Sequence, residues 1–301
     1  MNFKDIEEYL IDRFKFTCID LIDKGWSGDR KYCAHQADGA KVLLRVSSAD
    51  QHAEKKEEFK KMKAVAALGV PMCLPLYFES REGFVFSIQS WVNGIEAEEA
   101  LPKLQCAEQY ALGCRAGGLL TKMHSIPAPR SQPDWEACFN RKIDKKIAGY
   151  QTCAIKFDGG EKMIAYINSN RHLLKNRPQT FQHGDYHIGN MMIDGRGKLI
   201  VIDFNRCDFG DPWEEFNRIV WCAKTSPPFA KGMINGYFND NPPIEFWRLL
   251  KLYIASNTLS SVYWAVPFGQ KEVGVMLSQA RDILSWYDDM AATIPSWYDE
   301  A

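Results

Sequence analysis

The chain has 301 residues, of which 46% are hydrophobic and 25% charged, proportions ordinary for a globular protein of about two domains or one two-lobed enzyme. Its net charge of −1 gives no electrostatic basis for binding nucleic acid or a membrane. The nine cysteines form no C-x-x-C pair, the charged first segment does not match a signal peptide, and no apolar run reaches membrane-spanning length. These features predict a cytoplasmic protein.

Alternation of apolar and polar residues predicts a strand-rich first part of the chain. The predicted strands cover residues 16–22, 32–36, 42–46, 74–78 and 84–88. A turn at 25–29 and a hairpin turn at Asp38–Gly39 connect the first three of them. One helix is predicted over 53–68, because Phe59, Met62 and Val65 form an apolar stripe there.

Beyond Gly94 the sequence predicts a mostly helical remainder. The predicted helices cover residues 107–124, 135–155 and 162–174. A further helix is expected to open at 212, with Asp211 as its N-cap and Pro212 in its first turn. The apolar runs 191–193 and 199–202 flank a Gly-rich turn and predict a β-hairpin.

Two aspartates and an asparagine on this hairpin and the loop before it carry the strongest chemical signal. Asp185 lies five residues before Asn190, so one tight loop can present both side chains, and the hairpin returns Asp203 beside Asn190. This set suits Mg²⁺ and phosphoryl transfer from a nucleotide. An Asp-x4-Asn pair alone is also typical of a turn or cap. His183 and His187, four apart, are an alternative zinc pair without a second pair at metal spacing.

Residues 183–190, 202–204 and 210–212 together resemble the signature of the aminoglycoside phosphotransferase family, small-molecule kinases of the protein-kinase-like fold. The resemblance implies an α+β, bilobal protein-kinase-like fold. Its N-terminal lobe is a five-stranded antiparallel sheet with one helix, and its C-terminal lobe is mostly helical with a catalytic-loop hairpin. We expect residues 1–92 to clamp the nucleotide and residues 93–301 to carry catalysis and substrate binding.

The resemblance also implies roles for individual residues. Asp185 is expected to align the acceptor hydroxyl, while Asn190 and Asp203 hold Mg²⁺. Arg45 on the third strand occupies the family's basic position and would bind the phosphates, with Glu58 of the following helix as its orienting carboxylate. A surface-facing Arg45 and a solvated Glu58 are the alternatives.

Two segments of the first lobe are expected to contact ATP or GTP. Ser27 and Gly28 in the turn at 25–29 would approach the phosphates, although a plain hairpin turn fits these residues equally well. The base would be bound through backbone groups of a hinge formed by Gln89, Ser90, Trp91 and Val92. Because backbone groups do the binding, the residue types do not choose between the two nucleotides.

The acceptor site is the least defined part of the prediction. Asp208, Glu214 and Asp288 are candidate acidic groups for a cationic acceptor. A loop-bracing ion pair is the alternative for Asp208, and a solvated acidic helix end is the alternative for Asp288.

The predicted function is Mg²⁺-dependent transfer of the nucleotide γ-phosphate to a hydroxyl of a small molecule. With an aminoglycoside as the acceptor, this reaction is antibiotic O-phosphorylation and confers resistance. A kinase of choline, homoserine or a sugar is the alternative, as is a non-catalytic nucleotide-binding pseudokinase. No nucleic-acid or membrane partner is expected, and a monomer and a homodimer both remain open.

Overall fold

The computed structural model describes residues 3–23 and 28–300, and its contacts divide the chain into two compact units. The first unit comprises Met1–Ile95 with Asn190–Cys207, and the second comprises Glu96–Gly189 with Asp208–Ala301. The chain therefore leaves the first unit, builds half of the second, returns for one hairpin and then completes the second unit. The functional boundary predicted at residues 92 and 93 stays a prediction.

The strands follow the sequence prediction closely. They are β1 (Cys18–Ile22), β2 (Arg30–His35), β3 (Lys41–Ser48), β4 (Pro75–Arg81), β5 (Phe84–Ser90), β6 (Gly94–Glu96), β7 (Thr180–Gln182), β8 (Met191–Asp194), β9 (Leu199–Val201) and β10 (Asp208–Gly210). The first five form an antiparallel sheet in the order β1-β2-β3-β5-β4. The predicted five-stranded antiparallel sheet is confirmed.

Helices occur in both units and account for most of the second. They are α1 (Phe3–Phe14), α2 (His52–Ala67), α3 (Ala97–Ala100), α4 (Cys106–Met123), α5 (Trp135–Thr152), α6 (Gly160–Asn170), α7 (Ile219–Thr225), α8 (Pro227–Phe238), α9 (Ile244–Ala265), α10 (Gln270–Trp286) and α11 (Ser296–Glu300). Among these helices, none is both long and apolar enough to cross a membrane. The mixed α+β class predicted from the sequence is confirmed, whereas α1 had no counterpart among the predicted elements.

The two faces of the five-stranded sheet have different tasks. One face is apolar, and its buried side chains, such as Leu44 and Phe86, form a core with Leu10 of α1. The opposite face carries the polar residues Arg45 and Gln89, because side chains alternate along each strand. The sheet therefore packs its hydrophobic face with α1, while its opposite face carries buried polar side chains.

The hairpin β8–β9 joins the first unit through backbone hydrogen bonds. Val201 N–H donates to the carbonyl of Pro71 at 2.9 Å, and Cys73 N–H donates to the carbonyl of Val201 at 3.2 Å. At the turn, the Asp194 carboxylate accepts the N–H groups of Arg196 and Lys198 at 2.9 Å each. The hairpin thus has a fixed register, which positions the residues at its two ends.

Helices α4 and α8 pack closely because glycines line both sides of their contact. A methyl group on Gly117 would lie 2.2 Å from the carbonyl oxygen of Met233, and one on Gly236 would lie 2.2 Å from that of Cys114. Gly113 and Gly232 are equally crowded, whereas a methyl group on Gly118 would meet no atom within 4 Å. Small residues let two helix backbones approach, so these glycines set the distance between α4 and α8.

The expected helix at residue 212 begins later than predicted. The segment opens as a 3-10 helix at Glu214–Arg218 and becomes α7 at Ile219. The Asp211 carboxylate accepts the backbone N–H of Trp213 at 3.0 Å, a contact of the capping type. The start of the regular helix therefore differs from the prediction, and the same carboxylate also binds tertiary partners, described below.

Replacement of Gly117 by alanine tests the close packing of α4 and α8. We expect Gly117→Ala to lower the free energy of unfolding by about 3 kcal/mol or more, because backbone atoms cannot move away as a side chain would. Gly118→Ala, one residue along the same helix, is the matched control and should raise it by up to about 1 kcal/mol. Urea unfolding of both variants measures the difference, and equal stability of the two would contradict this packing.

Protonation of His124 provides a second test. Burial lowers the pKa of His124 to about 3, and its Nδ1 lies 2.9 Å from the Tyr237 hydroxyl. The unfolded chain protonates this imidazole near pH 6.5, so the stability that neutral His124 contributes is complete above that pH and is lost as the pH falls toward 3. We therefore expect His124→Gln to reduce the loss of unfolding free energy between about pH 7 and about pH 5. Identical slopes for both proteins in urea titrations would contradict this expectation.

Candidate active site

A buried guanidinium is the centre of the polar face of the first unit. Arg45 lies on β3 with only 4% of its surface exposed. Its Nε and Nη2 donate to Oδ2 of Asp29 at 3.0 and 2.8 Å, and its Nη1 donates to Oδ1 of Asp203 at 2.8 Å. Burial alone would lower the pKa of Arg45, but Asp203 and Asp29 raise it above its ordinary value. One cation therefore holds two carboxylates from distant parts of the chain.

Asp29 is fully engaged by polar partners. Besides Arg45, it accepts hydrogen bonds from the Ser47 hydroxyl at 2.7 Å and from Lys55 Nζ of α2 at 3.0 Å. Burial raises the pKa of Asp29, but Arg45, Ser47 and Lys55 outweigh this effect and hold it below its usual range. An ionised carboxylate under the sheet is compatible with folding because each of its oxygens is paired.

The pairing expected between Glu58 and Arg45 stays a prediction, and the charge of Glu58 contributes to the raised pKa of Arg45. Glu58 of α2 forms an ion pair with Lys55 at 3.2 Å, and burial raises the pKa of its carboxyl. Asp29 lies directly next to the guanidinium. The strand register explains this arrangement. Arg30 pairs with Val46, so Asp29, the residue before Arg30, lies opposite Ser47. Ser47 is two positions from Arg45 on the same face of β3, which brings Asp29 close to Arg45.

Asn190 and Asp203, the predicted metal ligands, lie at the two ends of the β8–β9 hairpin. Ile202 N–H donates to the carbonyl of Asn190 at 3.0 Å, so the residue after it, Asp203, is the cross-hairpin neighbour of Asn190. Asp203 has φ of +63°, a conformation that costs energy for a residue with a side chain. Its ion pair with Arg45 supplies a compensating interaction.

The structure places the other predicted nucleotide contacts as follows. Ser27 lies outside the described residues, and Gly28 is exposed, with open space where a side chain would stand. Gln89 is buried against Met62 of α2, 3.7 Å from Nε2 to Sδ.

The predicted hinge residues after Gln89 are partly engaged. Ser90 N–H donates to the carbonyl of Leu74 at 2.9 Å, and Ser90 Oγ accepts the N–H of Leu74 at 2.8 Å. Trp91 and Val92 are half-buried, and Lys41 Nζ lies 6.0 Å from the Trp91 ring centre. The N–H of Ser90 is therefore already occupied by a hydrogen bond within the sheet.

In the second unit, a buried carboxylate shapes the loop that contains Asp185. Glu215 accepts the N–H of Gly184 at 3.0 Å and that of Tyr186 at 3.4 Å, and the Tyr186 hydroxyl donates to the carbonyl of Ala116 at 2.8 Å. Burial raises the pKa of Glu215 to about 8, although the backbone N–H groups favour its charged form. Sequence reasoning missed Glu215, since it was assigned only to a helix.

Asp185 itself is 19% exposed and is contacted by two basic side chains. Arg218 Nε lies 3.2 Å from its Oδ1, and His187 Nε2 lies 3.6 Å from the same oxygen. The Nδ1 atom of His187 accepts the N–H of Gly189 at 3.1 Å, and the Nδ1 atom of buried His183 accepts the N–H of Asp185 at 3.3 Å. Both histidines thus brace the loop, which argues against the zinc alternative for this pair.

Asp211 is the structural centre of the second unit. Its fully buried carboxylate binds Arg177 through two hydrogen bonds of 2.6 and 3.0 Å and accepts the Tyr253 hydroxyl at 2.6 Å. Arg177 also lies over the Trp213 ring, 3.9 Å from its centre. These contacts link α9 to the segment after β10 and fix the start of the helix that carries Glu215.

The three candidate acceptor residues lie on different elements, and two of them, Asp208 and Glu214, both neighbour Gln182. Asp208 is exposed on β10 opposite Gln182. Glu214 is half-buried and accepts hydrogen bonds from Gln182 at 3.1 Å and Asn217 at 3.2 Å. Asp288 is exposed after α10, and within the described residues it bonds Ser285 rather than the Asp185 loop.

The model of the phosphotransferase enzyme family matches residues 19–247, which is most of the chain. No curated protein sequence matches the chain. The match includes Arg45, Asp185, Asn190, Asp203 and Asp211.

Solved structures share the fold at low sequence identity. The amicoumacin kinase hAmiN, in complex with AMP-PNP, Ca²⁺ and Ami, is 12% identical with a TM-score of 0.68, covering 99% of this chain and 97% of its own. The gentamicin complex of APH(2")-IIa is 18% identical with a TM-score of 0.66, covering 91% and 94%. A thermostable mutant of aminoglycoside phosphotransferase APH(4)-Ia, with ADP and hygromycin B, is 16% identical with a TM-score of 0.65, covering 93% and 98%. The protein-kinase-like fold predicted from the sequence is confirmed.

Substitution of Asp29 and of Glu58 tests which of these two carboxylates orients Arg45. We expect Asp29→Asn to lower the free energy of unfolding by about 3 kcal/mol or more, because a buried guanidinium loses a charged partner. Glu58→Gln should cost about 1 kcal/mol or less, since Arg45 keeps both of its carboxylates. Denaturant unfolding measures both, and exposed Glu57→Gln, which should have no effect, is the control. A larger loss for Glu58→Gln than for Asp29→Asn would identify Glu58 as the orienting residue.

Proposed function

Because the chain belongs to the phosphotransferase enzyme family, we propose that it transfers the γ-phosphate of a nucleotide triphosphate to a hydroxyl of a small molecule. One observation carries this proposal. Arg45, a cation suited to phosphates, is in direct contact with Asp203, a carboxylate suited to a divalent metal. Phosphoryl transfer needs both groups, one for the phosphates and one for the metal that neutralises them.

Arg45 is the proposed phosphate-binding residue. Its planar guanidinium can bind two phosphate oxygens at once, and Asp29 holds it in one orientation. Gly28, exposed and without neighbours around its Cα, leaves room for phosphates close to the backbone. The complexes of related structures with ADP and AMP-PNP support a nucleotide donor, and the choice between ATP and GTP is part of what the assay below determines.

Asn190 and Asp203 are the proposed ligands of Mg²⁺. Their amide and carboxylate oxygens are the donors that this hard cation prefers, and the hairpin register makes them neighbours. When bound, Mg²⁺ would neutralise the phosphates and orient the transferred group. The Ca²⁺ in the amicoumacin kinase complex supports use of a divalent cation.

Asp185 is the proposed catalytic residue, which aligns the acceptor hydroxyl and accepts its proton. Its contacts with Arg218 and His187 restrict the direction of the carboxylate, and Glu215 fixes the backbone of its loop. Correct alignment is a large part of catalysis in this reaction class, because no covalent enzyme intermediate is required.

The acceptor has two candidate classes. Related structures with hygromycin B, gentamicin and Ami support an antibiotic, and an enzyme of this type in the cytoplasm would confer resistance. Arg218 beside Asp185 favours the second class, a metabolic alcohol such as a sugar or homoserine-like compound. A polycationic aminoglycoside would meet the positive charge of this guanidinium there.

The first test is nucleotide turnover by purified protein with a panel of aminoglycosides, sugars, amino alcohols and choline. We expect Mg²⁺-dependent release of ADP or GDP with one acceptor class and a loss of at least about 1,000-fold in kcat for Asp185→Ala. Asp144→Ala on the exposed side of α5 is the control and should retain full activity. Turnover that persists unchanged in Asp185→Ala would contradict the catalytic assignment.

Substitution of Asp203 separates a kinase from a pseudokinase. In a kinase, Asp203→Asn should abolish metal-dependent turnover while the unit stays folded, because the amide keeps one oxygen near Arg45. A pseudokinase would bind nucleotide in both forms and turn over in neither. Nucleotide affinity measured with and without Mg²⁺ alongside turnover makes this distinction.

A further inference from the structure

A second set of metal-ligating side chains lies on the hairpin formed by β1 and β2. The strand register pairs Cys18 with His35 and Asp20 with Cys33. Residues directly opposite each other in an antiparallel pair share a face, as do residues two apart on one strand. Two cysteines, one histidine and one aspartate therefore form a square of four donors on one face of the hairpin.

The donor atoms are close enough to share one ion. The Cys18 sulfur, an Asp20 carboxylate oxygen and a His35 ring nitrogen all lie within 4.8 Å of one another. His35 Nε2 is 2.9 Å from Oδ2 of Asp20 and 3.6 Å from the sulfur of Cys33. Ligands around a tetrahedral ion with bonds of about 2.0–2.3 Å are separated by roughly 3.3–3.8 Å, so Cys18, Asp20 and His35 are close to the required spacing. Cys33 lies outside this group of three and is the fourth candidate ligand through its contact with His35.

We propose that Cys18, Asp20, Cys33 and His35 bind one thiophilic divalent cation of the Zn²⁺ class. Thiolate and imidazole donors select such ions, whereas Mg²⁺ and Ca²⁺ prefer sites built only from oxygen. The site is independent of the proposed phosphoryl transfer, which uses the hard oxygen donors on β9 and its neighbours. Binding releases the thiol protons to solvent and leaves the oxidation state of both sulfurs unchanged.

Access and burial suit a surface metal site. Cys18 and Asp20 are exposed, with 67% of the Asp20 side chain accessible, and His35 is partly exposed. Cys33 is buried beneath them. An ion arriving from solvent would therefore meet three accessible donors and find the fourth below them.

Two simpler interpretations account for less of the arrangement. An ion pair between His35 and Asp20 explains their contact but gives no role to the two cysteines. A disulfide between Cys18 and Cys33 would join diagonal positions of the ladder, with Cα atoms about 7–8 Å apart, beyond the usual span of a disulfide of about 4.4–6.8 Å. A bound metal uses all four side chains without moving the strands.

The consequence of the site follows from the strands that it joins. β1 ends at Ile22 and β2 begins at Arg30, so an ion across the pair would fix the strands on either side of the connection that includes Gly28 and Asp29. We therefore expect the metal to stabilise the folded protein, because it binds the folded hairpin and not the extended unfolded chain.

Cobalt substitution in the full-length protein tests the proposal. Metal-free protein is titrated with Co²⁺ in the presence of excess Mg²⁺, which occupies oxygen-only sites. The expected result is one equivalent of Co²⁺ with a thiolate-to-cobalt charge-transfer band and intense tetrahedral d–d bands, both removed by added Zn²⁺. Cys18→Ser and His35→Ala should abolish this spectrum, because each removes a member of the group of donors within 4.8 Å of one another. Cys33→Ser should keep the site but reduce the charge-transfer intensity by about half, since the second thiolate is lost.

The controls separate loss of the site from loss of the fold. Cys106→Ser, which replaces an exposed cysteine of the second unit, should keep the full spectrum. Asp20→Asn, at an exposed position, should fold normally by circular dichroism and bind the ion at least tenfold more weakly. Zn²⁺ should raise the Tm of the wild type but not that of Cys18→Ser. Absence of the thiolate band in the wild type, or its survival in Cys18→Ser, would overturn the proposal. An unchanged intensity in Cys33→Ser would overturn the four-ligand assignment.

Discussion

The pairing of one buried guanidinium with two carboxylates is the interaction on which the first unit depends. Arg45 binds Asp29, which lies before β2, and Asp203, which follows β9, so it joins segments 158 residues apart in the chain. A charge removed from water is tolerated only when its partners are close and correctly oriented. The polar face of the sheet is therefore organised around a charge cluster that can fold in one arrangement, with Lys55 and Glu58 of α2 as its outer members.

The same cluster explains how the proposed metal and phosphate sites can stay folded without their ligands. Asp203 in a left-handed conformation would be an unfavourable, unpaired anion if Arg45 did not contact it. Arg45 in turn keeps Asp29 as a partner when Asp203 is engaged elsewhere. Asp29 thus holds the guanidinium in place, while Asp203 can exchange Arg45 for another partner. Such an arrangement suits a residue that is proposed to bind phosphate.

The sequence predicted the strands, α2, α4 and the β8–β9 hairpin because their signals are local: alternation, apolar stripes and turn residues. It also singled out the metal-binding and catalytic candidates, because Asp185, Asn190 and Asp203 are close along the chain. Contacts set by long-range pairing were not accessible in this way. Asp29 was assigned to a turn, Glu215 to a helix, and Asp211 to a cap, since each carboxylate takes its partners from elements that the local pattern does not connect.

The four donors on β1 and β2 also depend on strand pairing, which local sequence patterns do not show. A search for metal ligands along the chain looks for pairs such as C-x-x-C, which suit a tight loop. On a strand, ligands on one face are two residues apart, so C-x-D and C-x-H segments become a site only when the register pairs them. A shift of the register by one residue would turn the two donors of one strand away from the two donors of the other. The Arg30–Val46 pairing that brings Asp29 beside Arg45 belongs to the next strand pair, β2–β3, so β2 takes part both in the cysteine-containing face and in the position of the carboxylate on which Arg45 depends.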